Sequence, residues 1–352
     1  MIDLRRALAA SLPLLSLLAA CGGDDGGTAS GDGLPTVVVT YAVLGAVVAD
    51  VVGDRAEVVV LMPDGTDPHE WSPSAKDVSR MLEADLIVDN GLALERNLQD
   101  PLAEAAAAGV TVFTVADHVT VRTIGEGELP EGGHDHGDEH SDEHADEHSD
   151  EHAAEHSDEH SDEHDDGAAA AEEGGDGHVH EAGAEDPHLW MDPITMKEWV
   201  GPFADAMEAE GVDVRDGAAR VQAELDELDA EVRAIVDTVP EADRVLVTGH
   251  ESMGYFADHY GFTLIGAVIP SLTSQAEASA GALAELREQI EQAGVPVIYT
   301  ELGTPKATVD ALADDAGVKV VELSTHTLPD DGSYHTFMLD IANTVADGLL
   351  GA

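Results

Sequence analysis

The chain has one cysteine, Cys21, in 352 residues, so no disulfide can form within it. Aromatic side chains are scarce at 4%, which leaves alanine, valine and leucine to fill its cores. Cationic side chains are few: 15 Lys and Arg stand against 73 Asp and Glu, for a formal net charge of -58. A chain so anionic repels phosphate backbones, which argues against a nucleic-acid partner, and it attracts cations instead. Long apolar runs are also missing. Beyond residues 7–20 no segment is long and apolar enough to cross a bilayer, so any membrane-spanning partner is expected to be a separate chain.

What is present begins at the N-terminus. Arg5 and Arg6 precede the apolar run 7–20, which suits a secretory signal peptide over residues 1–20. The run ends Leu18-Ala19-Ala20-Cys21-Gly22, which resembles a bacterial lipobox. Residues 21–35 are then expected to form a tether lipidated at Cys21, with a flexible Gly/Asp/Ser-rich stretch over 22–34. An ordinary signal peptide with a chance cysteine is the alternative. A lipid anchor would place the chain outside the cytoplasm, on the cell surface or the periplasmic side of the membrane.

Hydrophobic residues make up 43% of the chain, and its length suits two domains. From residue 36 the pattern is α/β. Residues 36–42, 56–61, 86–90 and 110–115 read as strands, and 74–84 and 101–108 as helices. From about 125 to 184 the composition changes. Residues 126–186 hold 25 of the 73 acidic residues, leaving 48 elsewhere, and from His140 to His164 a histidine recurs every fourth residue. Such a segment cannot bury enough apolar surface to fold alone, so it reads as a disordered insertion. Its histidines (His134, His136, His140, His144, His148, His152, His156, His160, His164, His178 and His180) are candidates for weak, exchangeable metal sites.

Order resumes at residue 186. Residues 193–210 read as one helix, and 216–239 as a long one spanning about 35 Å. Strands follow at 244–248, 263–269, 296–300 and 318–323, with helices at 251–259, 278–293, 305–316 and 334–349. Short strands alternating with helices predict parallel sheets. The expected architecture is α/β: an N-terminal lobe over 36–213 that includes the insertion, a connecting helix over 214–239, and a C-terminal lobe over 240–352. Each lobe carries a parallel sheet with flanking helices, and the connecting helix is rigid.

Four histidines outside the insertion sit where strands or loops end. His69 lies in Asp67-Pro68-His69-Glu70-Trp71, and His188 in Asp186-Pro187-His188-Leu189-Trp190 before Asp192-Pro193. His250 follows the strand 244–248, and His326 follows the strand 318–323. Ligands of open α/β sheets gather at the carboxyl ends of strands, so two histidines from each lobe can meet in a cleft. Neutral imidazoles in a tetrahedral set suit zinc. A lone loop histidine is usually an ordinary surface residue, but two Asp-Pro-His-x-Trp repeats at element boundaries argue otherwise.

These residues also carry a family resemblance. DPHEWSPSAKDVSRMLEADLIVDNGLALE (67–95) closely resembles a region of the zinc/manganese ABC-transporter substrate-binding proteins, the cluster A-I or cluster 9 group. DPHLWMDP (186–193) resembles their second ligand motif and VTGHESMGYFADHYGF (247–262) their third. The resemblance runs from about residue 36 to the C-terminus, interrupted by the acidic insertion, which looks like that of the zinc-specific branch. It implies two (β/α) lobes, a metal held between them, no enzymatic activity, and a membrane permease as partner. It also implies His69, His188 and His250 as the first three ligands of a transported Zn2+. Manganese-preferring relatives typically place Glu at the third position. Many relatives place Asp at the fourth, where this chain has His326; Asp330, Asp331, His335 or water are the alternatives. A monomer is expected.

Other conspicuous residues receive plainer readings. His118 and His259 are expected at the surface, and Trp71 and Trp190 against the cleft or the core. Glu301 is a candidate to orient a ligand histidine through its second nitrogen, with Glu70, Glu251 and Asp192 as similar candidates. Two competing functions remain. A manganese- or iron-binding homologue differs only in its ion, and a metal-buffering surface protein or adhesin would work through the acidic insertion. A secreted zinc hydrolase is less well supported: catalytic zinc keeps an open position, and no H-E-x-x-H helix or nucleophile motif is present.

Overall fold

Residues 33–124 and 183–351 are described by the structure, a computed structural model. The segments read as signal peptide and histidine-rich insertion, most of the tether, Cys21 and the insertion's histidines lie outside the described residues.

The first lobe opens with β1 (Thr36–Val39), apolar and buried almost throughout. Next comes α1 (Ala42–Val52), which the sequence reading did not anticipate, and then β2 (Glu57–Val60). The valine-rich α1 has the composition of a strand. Its buried residues nonetheless fall in pairs four apart, Val43 and Leu44, Val47 and Val48, Val51 and Val52, which only a helix turns to one side. Gly45 lets this helix lie against the sheet, because a Cβ there would come within 2.6 Å of Val60. Helix α2 (Ala75–Leu82) starts with a capping box: Ser74 accepts from the Asp77 N–H, and the Asp77 carboxylate accepts from the Ser74 N–H. β3 (Leu86–Asp89), α3 (Gln99–Ala108) and β4 (Thr111–Thr114) complete the lobe.

The four strands form a parallel sheet in the order β2-β1-β3-β4. The chain winds to β2 on one side of β1 and to β3 and β4 on the other. The switch point therefore lies at the carboxyl ends of β1 and β3, where ligands of such sheets collect.

After the insertion come α4 (Pro193–Glu198) and α5 (Val200–Ala209), in place of the single helix expected over 193–210. Pro202 has no N–H to offer the Glu198 carbonyl, so the ladder breaks at Trp199 and restarts with the proline in the first turn. Helix α6 (Arg215–Val236) is the connecting helix, about 33 Å long. Its buried residues Ala218, Val221, Leu225, Leu228, Val232 and Val236 form one stripe. That stripe packs against α1, α4, α5 and the final helix of the chain.

The second lobe runs β5 (Val245–Thr248), α7 (Gly254–Tyr260), β6 (Thr263–Ala267), α8 (Ala280–Ala293), β7 (Val297–Thr300), α9 (Lys306–Ala316), β8 (Lys319–Glu322) and α10 (Tyr334–Leu350). Parallel ladders join β5 to β6 and β7 to β8, with β5 lying beside β7. Helix α7 starts three residues later than expected. Residues 250–252 form a turn instead, in which the Glu251 N–H donates to the Ser271 carbonyl and the Ser252 N–H to that of His250.

One apolar core runs from the first sheet through α6 into α10. A smaller one lies between the second lobe's strands and helices α8 and α9, around Val247, Leu286, Ile290, Ile298 and Leu312. The two lobes share that main core, and the loops at their strand ends face each other across the seam between them.

Candidate metal centre

The repeated Asp-Pro-His has a local cause. In the first copy the His69 N–H donates to Asp67 Oδ1 at 2.9 Å; in the second the His188 N–H donates to Asp186 Oδ1 at 3.0 Å. Each aspartate folds back onto the histidine two residues later, and the intervening proline offers no competing N–H. The imidazole position is thereby set by a three-residue turn. The second copy goes further, since His188 Nδ1 also lies 2.8 Å from Asp186 Oδ1. A carboxylate accepts, so Nδ1 carries the proton and the Nε2 lone pair is left facing the seam.

His250 and His326 come from the other lobe, after β5 and β8. Thr325 links them. Its hydroxyl donates to Glu301 Oε2 at 2.9 Å and lies 2.9 Å from His326 Nδ1. A hydroxyl that donates to a carboxylate can only accept from the imidazole, so His326 also keeps its proton on Nδ1. Glu301 Oε2 is 3.4 Å from His250 Nδ1, close but not aligned for a hydrogen bond, and it already accepts from Ser252 Oγ at 2.6 Å.

His188 Nε2 lies 3.4 Å from His69 Nε2 and 3.2 Å from His250 Nε2. One ring nitrogen from each of these three residues falls within 4.8 Å of the others. Nitrogens at 2.0–2.1 Å from a tetrahedral zinc lie about 3.3 Å apart, so the observed spacing fits one ion. His326 is not in that close set. Its ring stacks on His250 at 6.1 Å between centroids, and its Nε2 is buried with no hydrogen-bond partner among the described residues. The other fourth-ligand candidates lie elsewhere. Asp330 and Asp331 are exposed, with Asp331 accepting from the Ser333 N–H and Thr336 Oγ1 at the start of α10, and His335 faces Glu231 at 3.3 Å.

Burial is what makes the cluster a site for a cation. Desolvation holds His69 and His250 well below the ordinary imidazole pKa, and neighbouring imidazoles push both the same way. His326 is lowered to about 3 by desolvation first and His188 second. These imidazoles are neutral at pH 7, and with His188 two of them, His69 and His250, form a set that could hold a cation.

Trp190 closes the floor. It is fully buried, donates from Nε1 to the Thr325 carbonyl at 2.9 Å, and lies beside both His188 and His326. Trp71 is partly buried against the main core. Of the carboxylates proposed to orient ligands, Glu301 lies next to His250. Glu70 is exposed and accepts from Gln275, Asp192 caps α4, and Glu251 is buried with burial first and Asp186 second pushing it up to about 7. The residues that do the orienting are Asp67, Asp186 and Thr325. Both aspartates stood in plain view in the repeated motif, whereas nothing local to Thr325 signals its role. His118 is exposed as expected and stacks on Phe113. His259 departs from expectation: it is half-buried and bridges Asp229 of α6 at 2.7 Å and Asp192 at 3.7 Å, because α7 packs it into the junction with the connecting helix.

The family model described as ZnuA, zinc-uptake complex component A, periplasmic, matches residues 37–348, and the chain belongs to that family. It is thus a metal-binding, substrate-binding component of the ABC importer class, and that family and its relatives are solute-binding proteins rather than enzymes. It is 25% identical over 348 residues to the manganese-binding lipoprotein MntA of Halalkalibacterium halodurans, covering 96% of each chain. It is 28% identical over 293 residues to the zinc-binding lipoprotein AdcA of Streptococcus pneumoniae, covering 82% of this chain and 49% of that protein. It is 27% identical to the zinc-binding protein TroA of Treponema pallidum, over 81% of this chain and 76% of TroA. The TroA structure superposes with a TM-score of 0.65 over 90% of this chain at 24% identity, and a ZnuA crystal structure with 0.63 over 90% at 18%; these likenesses speak for the fold.

Proposed function

We propose that the chain captures Zn2+ between its lobes and delivers it to the membrane permease of an importer. His69, His188 and His250 supply Nε2 ligands, and His326 is the fourth. The observation that carries this reading is the convergence of three buried imidazole nitrogens, with Nε2 of His69 and of His250 lying 3.4 and 3.2 Å from Nε2 of His188. Nitrogen donors suit zinc, whereas carboxylates and water suit manganese. The manganese reading has its own support, since MntA, a relative aligned over 96% of both chains, is named manganese-binding. Against it, the three donors that converge most closely are all imidazole nitrogens and none is an oxygen. Cys21, in its lipobox-like setting, is proposed as the membrane anchor, the histidine-rich insertion as a set of weak sites, and the working unit as a monomer.

Competitive titration of Zn2+ and Mn2+ against a chromophoric chelator tests this, on the full chain and on one lacking residues 132–183. The expected result is one tight zinc equivalent in both, lost in His188→Ala. Tighter manganese than zinc would transfer the site to the second reading. Many weak equivalents without a tight one would leave only a metal buffer.

A further inference from the structure

The loop between β2 and α2, which presents His69, is bound to the opposite lobe by its own carboxylates. Asp67 Oδ2 accepts from Ser274 Oγ at 2.6 Å, Glu70 Oε1 from Gln275 Nε2 at 2.8 Å, and Asp64 Oδ1 from the Leu328 N–H at 2.9 Å. The outer two pairs are exposed and contribute little. The inner pair is different. Asp67 and Ser274 are each 6% exposed, and the Asp67 carboxylate serves two partners at once. Its Oδ1 holds the His69 N–H while its Oδ2 holds Ser274. Gly303, at φ 87°, packs so closely against them that a Cβ would come within 2.6 Å of Asp67 Oδ2. The Ser274 segment is in turn tied to the residue after His250, since the Glu251 N–H donates to the Ser271 carbonyl at 2.9 Å. His69 and His250 are therefore joined by a second route that bypasses the metal: His69, Asp67, Ser274, Ser271, Glu251.

We propose that Asp67 and Ser274 form an interlobe latch in which Asp67 is a positioning residue, holding His69 in ligating position only while the lobes are in contact. The inference rests on the reading of His69 as a ligand. Metal binding draws His69 towards His250, and the latch closes along the same direction. A closed latch thus slows metal release, and separating the lobes frees the His69 loop and lets the ion go. The second motif reaches the opposite lobe less directly: the other oxygen of Asp186 accepts from Arg122 at 3.3 Å, and Arg122 in turn donates to Asp258 of α7 at 2.7 Å. The two aspartates of the repeat differ in that Asp186 fixes a tautomer, whereas the Asp67 carboxylate itself bonds a side chain of the opposite lobe.

The test is stopped-flow release of Zn2+ from the full chain into excess chelator, following the slowest one-equivalent phase. Ser274→Ala should speed that phase about tenfold, the scale of a lost buried hydrogen bond to a charged group. It should leave the association rate and the apo melting temperature near wild type, and Ser274→Thr should restore slow release. An unchanged slow phase in Ser274→Ala, with that phase abolished by His69→Ala, overturns the latch and leaves the site intact. A slow phase that survives His69→Ala overturns the ligand assignment and the latch with it. Acceleration accompanied by slower association and a lower apo melting temperature shows general loosening and also overturns the latch.

Discussion

Asp186→Asn isolates what a carboxylate behind a ligand contributes. Asp186 is fully buried and accepts from the His188 N–H at 3.0 Å, from His188 Nδ1 at 2.8 Å and from Arg122 Nη1 at 3.3 Å. An asparagine cannot serve all three. With its oxygen on His188, its amide donors face the Arg122 guanidinium. With its oxygen on Arg122, its N–H forces His188 Nδ1 to accept, and the ring proton moves to Nε2, where it blocks coordination. The first arrangement also removes the negative charge that makes His188 a better donor. Losses of this kind cost about 10- to 100-fold in metal affinity, or roughly 1.4–2.7 kcal/mol. Asp258→Asn is the matched control, because among the described residues Asp258 is a second carboxylate on Arg122, at 2.7 Å, and has no bond to His188. Competitive zinc titration should show the loss in Asp186→Asn alone, while both variants lose some thermal stability. Zinc affinity within twofold of wild type in Asp186→Asn, or an equal loss in Asp258→Asn, would refute the tautomer argument.

Three further outcomes follow from the same geometry. His326→Ala should weaken zinc less than His188→Ala does, since His326 stands outside the close set of three, and His326→Asp should retain zinc while narrowing its margin over manganese; zinc affinity unchanged in both variants would remove His326 from the ligand set. Cys21→Ala should move the chain from the detergent phase to the aqueous phase, and full retention at the membrane would end the lipid-anchor proposal. In acid, His326 takes up a proton near pH 6.5 when unfolded but only near about 3 when folded, so its contribution to apo stability is present above 6.5 and lost as pH falls. Glu95 and Glu251, both pushed up to about 7 chiefly by burial, act in the opposite direction. The histidine effect is therefore read as the difference between wild type and His326→Gln in apo melts from pH 8 to 4. That difference should shrink on acidification, and a constant one would contradict the assignment.

The strand and helix alternation, the connecting helix and the four histidines at element ends were all legible in the sequence. Each depends on short-range pattern: apolar runs such as TVVV and LIVD, the α6 stripe, and the Asp-Pro-His turn that closes on itself within three residues. At α1 and at His259, where the sequence misled, a tertiary partner was the reason. Helix α1 is as valine-rich as a strand and becomes helical because β2 and α6 receive its paired buried residues. His259 looked like a surface residue until α7 packed it against Asp229 of α6. The contacts that turn four histidines into a candidate site are longer still. Thr325 reaches Glu301, 24 positions away, and Ser274 reaches Asp67, 207 positions away. No spacing rule spans such distances. The residue types and the turn chemistry were written locally, but which nitrogens face one another and what ties the lobes together were decided only when the two lobes came together and excluded water from the seam.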